Sequence, residues 1–225
     1  MRLNVRSALA GVGMGALVGL AACGGGSSDS SSEGPRAVVR FDAGAEAGFF
    51  DFPWPADARA NADRTVDTAS FPNPYGLASL EEMKAMTATQ VNGFSPSGVA
   101  YFRMDRSVSG VVPAADPLDT TRDGATYFLV NLSQGPRFGA RTPALIDYAE
   151  APDSYRPGQL LSVLPVSGNL LDSESPYAAV VLRGAFVTPS SVAPSPVLAA
   201  ALAGRTPGPP GAERLVADFA PLRRY

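Results

Sequence analysis

The chain contains no histidine, one cysteine and one lysine among its 225 residues. Without histidine, the Ser-His-Asp triad, Cys-His pairs and the usual histidine-containing zinc sets are all excluded. A single cysteine, Cys23, allows no intramolecular disulfide, so a packed core must supply the stability. A Ser–Lys pair would need Lys84, which is expected on the exposed face of a helix and reads as a solvated surface lysine. The balance of 18 basic against 21 acidic residues gives a net charge of -3. That is no electrostatic footprint for nucleic acid. There is no glycine-rich phosphate loop between a strand and a helix: Gly24-Gly25-Gly26 runs into serines and acids. No pair among the acidic residues stands out for a two-carboxylate glycosidase mechanism. Asn61, Asp63 and Asp67 are close in sequence, but the loop glycine and bidentate glutamate of a calcium loop are missing. They read as a solvated polar turn. The sequence therefore assigns no catalytic residue, no metal ligand and no cofactor.

Glycine and proline, in contrast, are plentiful. Together they make up 44 of 225 residues, well above the usual ~12%, which predicts many turns and short elements. At the N-terminus Arg2 and Arg6 precede an apolar stretch, Ala8 to Gly19, too short to span a bilayer as a helix. This pattern reads as a cleaved secretory signal over residues 1–22. The run Leu20-Ala21-Ala22-Cys23 resembles the lipobox of bacterial lipoproteins. That resemblance implies lipidation of Cys23 and a membrane partner reached through the lipid anchor. Several acyl chains at about 0.8 kcal/mol per buried methylene would hold stably. The expected location is the cell envelope, periplasmic or surface-exposed. Gly24 stands where an inner-membrane retention aspartate would be, which favours the outer membrane. Loss of residues 1–22 would leave 16 basic against 21 acidic residues, a net charge of -5. Residues 23–36, rich in Gly, Ser and acid, form a flexible tether with a reach of roughly 20 Å.

Residues 37–204 are expected to form one mainly β domain, an antiparallel β-sandwich with one or two short helices. Short apolar runs at 37–41, 99–104, 125–132, 144–148, 160–164 and 177–185 are separated by turn material such as Asp123-Gly124, Gly135-Pro136 and Pro157-Gly158. Tyr177 to Leu182 is nearly all apolar and is expected at the centre of a sheet. Ser79-Leu80-Glu81-Glu82 reads as a capping box opening a helix from Leu80 to about Val91, its methionines packing inward. Ser195-Pro196 opens a second helix, with Gly204 just past its end. Phe49, Phe50, Phe52 and Trp54 are interleaved with Asp51, Pro53 and Pro55, and the prolines forbid a helix or a central strand. This aromatic segment reads either as a contact patch (a stacking platform for sugars or a docking surface) or as a plug folded onto the core. Residues 205–225 form a Pro/Gly linker and the start of a helix. Leu215, Phe219 and Leu222 recur at helical spacing, but the sequence offers them nothing further to pack on.

A further resemblance rests on three runs: Leu160-Leu161-Ser162-Val163-Leu164-Pro165, then Asn169-Leu170-Leu171, then Tyr177-Ala178-Ala179-Val180-Val181-Leu182 with Pro194-Ser195-Pro196 behind it. It is similar to the N-terminal domain of bacterial extracellular lipase and esterase lipoproteins, the virulence-factor lipase type. Phe52-Pro53-Trp54-Pro55-Ala56-Asp57 is similar to that family's aromatic, proline-rich segment. Tyr101-Phe102-Arg103-Met104-Asp105 is similar to a strand of bacterial Ig-like domains. The resemblance covers residues 37–204 and implies an Ig-like sandwich without activity of its own, preceding an α/β-hydrolase domain. The hydrolase Gly-x-Ser-x-Gly elbow has no match; Gly93-Phe94-Ser95-Pro96-Ser97-Gly98 has the wrong spacing and a proline at the turn. The expectation is a lipid-anchored, non-catalytic module whose partner is a C-terminal hydrolase domain or an envelope protein. The alternative is a free-standing surface or periplasmic lipoprotein acting as a binding or structural module.

Overall fold

The computed structural model describes residues 4–8, 35–42, 44, 46–207 and 213–225. Cys23, the tether over 24–34 and most of the expected leader lie outside them. The fold is mainly β, with three α-helices among the described residues. Among the described residues, seven strands are distributed over two sheets: β1 (Asn4–Ala8), β2 (Ala100–Arg103), β3 (Tyr127–Asn131), β4 (Arg141–Thr142), β5 (Ala144–Ala149), β6 (Leu160–Pro165) and β7 (Pro176–Val181). One sheet has the order β1-β7-β3-β4 and the other β2-β6-β5. All pairings are antiparallel except β1 with β7. β1 falls within the expected leader.

Burial follows the strand patterns. β3 (YFLVN) is buried throughout, as is β7 from Tyr177 to Val181, which pairs with β3 on one side and with β1, from the expected leader, on the other. β5 alternates, with Ala144 and Ile146 buried and Leu145 and Asp147 exposed, because one face meets the core. β2 also alternates: Ala100 and Phe102 point into the core, Tyr101 and Arg103 to the opposite face. In register, Tyr101 lies across from Ser162 and Arg103 across from Leu160. This outer face of the second sheet carries the candidate site.

The expected strand over 37–41 is reduced to isolated bridges, Ala37 with Val192 and Val39 with Met104. Two partners from different segments cannot build a continuous ladder. The first helix, α1 (Ala78–Gln90), starts earlier than the capping box suggests. The Asn73 side chain organises its entry: Oδ1 accepts from Leu77 N, while Nδ2 donates to the Leu77 carbonyl and to Glu81. No residue of α1 is buried. Met83 and Met86 are more than half exposed, correcting the expectation that they pack. Lys84, expected in solvent, keeps only 14% of its side chain exposed and pairs with Glu81 at 3.1 Å.

The second helix, α2 (Pro196–Leu202), follows the predicted signals, with Ser195 at the N-cap and Pro196 in its first turn. Gly204, at φ +70°, closes it in the left-handed region that favours glycine. The third helix, α3 (Glu213–Asp218), overturns the expectation of an unpartnered tail. Leu215, Phe219 and Leu222 join the main core, and Arg223 donates to the carbonyls of Ala201 and Val216. Tyr225 accepts two hydrogen bonds from Arg141, whose guanidinium lies 3.9 Å from the centre of the Phe128 ring.

Candidate functional site

Phe49–Asp51 forms a 3-10 turn lying on the outer face of the second sheet, and Trp54 bridges to Tyr101. Phe49, Phe50 and Phe52 are 4, 7 and 5% exposed, so the segment presents no open aromatic patch, and only the edge of Phe50 reaches a groove. The aromatic segment is core: Phe52 joins the main core, while Phe49 and Phe50 pack around Leu160 as a second, smaller core. Trp54, half-buried, lies against Phe49 and Phe94. Arg59 fixes this arrangement. Its guanidinium donates to the carbonyls of Phe49 and Phe52 and lies 4.6 Å from the Phe49 ring centre. Burial lowers its pKa from the ordinary arginine value.

The accessible aromatic surface lies beside this cluster. Phe71, Tyr75, Tyr101 and Tyr155 come from three segments, the loop before α1, β2 and the β5–β6 loop, and line an open groove over Phe50. Of the four residues in the expected patch, only Phe50 reaches it. The groove has a volume of about 430 Å³, within the ~300–1,000 Å³ typical of ligand sites. Tyr75 is 62% exposed. Its hydroxyl shares a 2.8 Å hydrogen bond with Ser154 Oγ, and its ring meets Tyr155 edge-on at 5.7 Å. Gly76, at φ +60°, turns the chain behind Tyr75.

The β5–β6 loop forms the polar rim. Asp153 accepts from the backbone N–H of Tyr155 and Arg156, and from Arg156 Nε at 2.7 Å. The Arg156 N–H, then that of Tyr155, then the guanidinium hold the Asp153 carboxyl below the usual carboxylate range. An acid held ionised in this way accepts hydrogen bonds and does not deliver a proton. The loop closes through a tight return: a Cβ on Gly158 would overlap the Glu150 carbonyl oxygen, and Gln159 takes φ +56°. The arrangement holds aromatic faces and hydrogen-bonding groups together, with no nucleophile–base pair in the lining.

The polar turn over 61–67 uses its own groups internally. Asp63 accepts from the Thr65 backbone and hydroxyl, and Asp67 accepts from Ala69 N. A second polar cluster is structural. Asp172 accepts from Arg137, from buried Asn131 and from the Tyr177 hydroxyl. Comparison with family models, curated proteins and solved structures returned no match.

Proposed function

We propose that this chain is a lipid-anchored extracytoplasmic lipoprotein module that binds a ligand and carries out no chemistry of its own. The observation that carries this reading is the groove: aromatic side chains from three segments converge on open space beside a self-neutralised Asp153–Arg156 pair. The absence of histidine and of a Gly-x-Ser-x-Gly elbow supports the non-catalytic part. The lipobox-like run ending at Cys23 supports the anchor, with the envelope membrane as its partner and the outer membrane favoured over the inner. Contacts of β3 with β5 and β6 support an Ig-like β-sandwich as the finer description of the fold. Intact mass of membrane-extracted protein tests the address. A species beginning at acylated Cys23 is expected, and an unlipidated start elsewhere removes the anchor. Hydrolysis of p-nitrophenyl butyrate by the purified chain would overturn the non-catalytic reading.

A second reading rests on the motifs over 160–196: the module precedes the catalytic domain of a lipase- or esterase-type hydrolase. An in-frame Gly-x-Ser-x-Gly and a later histidine in the coding sequence downstream of Tyr225 would favour it. A stop codon directly after Tyr225 would refute it.

A further inference from the structure

We propose that the groove over Phe71, Tyr75, Tyr101 and Tyr155 is a binding site for a neutral oligosaccharide. The inference rests on the binding-module reading above and gives it a ligand class. Three properties of the site point the same way.

The first is the kind of surface. A pyranose ring has faces of C–H bonds and an equator of hydroxyls, so it needs aromatic faces with donors and acceptors beside them. Three of the four rings are tyrosines, which pair an apolar body with a polar tip. Tyr75 and Tyr155 extend from loops bounded by proline and glycine, over a floor already closed by Phe50. Tyr75 remains 62% exposed although it is held by a ring contact and a hydrogen bond. An aromatic fixed in position and left open loses little freedom on meeting a ligand.

The second is charge. Asp153 and Arg156 are the charged groups of the lining, and they neutralise each other at 2.7 Å. The rim therefore offers a carboxylate acceptor and guanidinium donors without a net field. An anionic glycan would find no unpaired cation there and would approach a chain of net charge -5 once residues 1–22 are lost. Neutral hydroxyls can use both members of the pair.

The third is shape. The groove is open to solvent rather than enclosed, which leaves room for further sugar units beyond the one seated in it. An acyl chain needs a pocket that encloses it, because only removal of its methylenes from water favours its binding.

Isothermal titration calorimetry of the full chain in detergent tests this, with cellohexaose, laminarihexaose, maltohexaose and chitohexaose as probes and a proline decapeptide as comparison. At least one hexasaccharide should bind saturably. Tyr75→Ala and Tyr155→Ala should each weaken that binding on the order of tenfold. Leu170→Ala, an exposed residue outside the groove, should leave it unchanged. If Tyr155→Ala fails to fold, Tyr155→Leu retains apolar bulk without a ring face and should show the same loss. Failure of all four sugars at millimolar concentration overturns the proposal, as does sugar binding indifferent to Tyr75→Ala. Tyr75-dependent binding of the proline peptide without sugar binding would overturn the saccharide class but leave the groove as a binding site. Silence of every probe would remove the binding-module reading as well.

Discussion

Replacing Phe50 with alanine separates the two roles that its surroundings combine, because the ring is core and floor at once. It is 7% exposed and meets Phe49 edge-on at 5.1 Å and Tyr101 at 5.5 Å, with Phe71 at 6.4 Å. A buried phenylalanine truncated to alanine costs about 3–5 kcal/mol, ring contacts included. The neighbours are held from several sides, by Arg59 on Phe49 and by the sheet on Tyr101, so the hole cannot close by simple collapse. For a domain of this size each kcal/mol lowers Tm by about 2–4 °C, giving an expected fall of roughly 6–20 °C. Tyr75→Ala, at an exposed ring in the same groove, should cost under about 1 kcal/mol. Thermal melts of the two variants and the parent, followed by near-UV circular dichroism, compare them directly. If Phe50→Ala melts no lower than Tyr75→Ala, the aromatic segment is not core and its assignment here is wrong.

Three further outcomes follow from particular contacts. Burial of Asp172 raises its carboxyl pKa, but the hydrogen bonds from Arg137, Tyr177 and Asn131, with the Arg137 charge, more than offset this and leave it lowered. A depressed folded pKa contributes stability that is present above the unfolded value of about 3.9 and is lost as pH falls through the folded one. Asp172→Asn should thus cost about 0.5–1 kcal/mol at pH 7, because solvent screens a carboxyl that is 36% exposed, and progressively less below about pH 4; urea melts showing an equal cost across that range would contradict the network. Asn73→Ala removes the side chain that closes the first turn of α1 and should cost about 0.5–2 kcal/mol, with a loss of far-UV helical signal; an unchanged spectrum would return the cap to Ser79. Gly158→Ala forces a Cβ onto the Glu150 carbonyl and should cost about 1–3 kcal/mol through backbone displacement. It should also disorder the rim carrying Asp153 and Arg156, and unchanged amide exchange over 150–158 would argue against the tight return.

The β elements were legible because apolar runs and turn residues alternate along the chain. β3, β5, β6 and β7 lie where the sequence places strands, and α2 has the proline and glycine that mark its ends. β4 is two residues, Arg141–Thr142, with no apolar signal to find. At α1 a well-formed capping motif lost to Asn73, whose amide satisfies a donor and an acceptor of Leu77 together. The aromatic segment was ambiguous because composition does not say which way a ring points. Arg59 decides it, by holding the Phe49 and Phe52 carbonyls from a position several residues later. The groove itself could not be read from spacing. Phe71, Tyr75, Tyr101 and Tyr155 meet only once β2 pairs with β6 and the β5–β6 loop turns back at Gly158. The tail showed its helical period but not its destination, which is the main core.

The unburied face of α1 has a chemical consequence. Met83 and Met86 present their thioethers to solvent, whereas Met104 is fully enclosed. Oxidants reaching the protein should therefore convert the first two to sulfoxides while Met104 remains a thioether. Because α1 buries no residue, the added polarity falls on a solvent-facing surface. Peroxide treatment should therefore oxidise these two methionines without loss of fold.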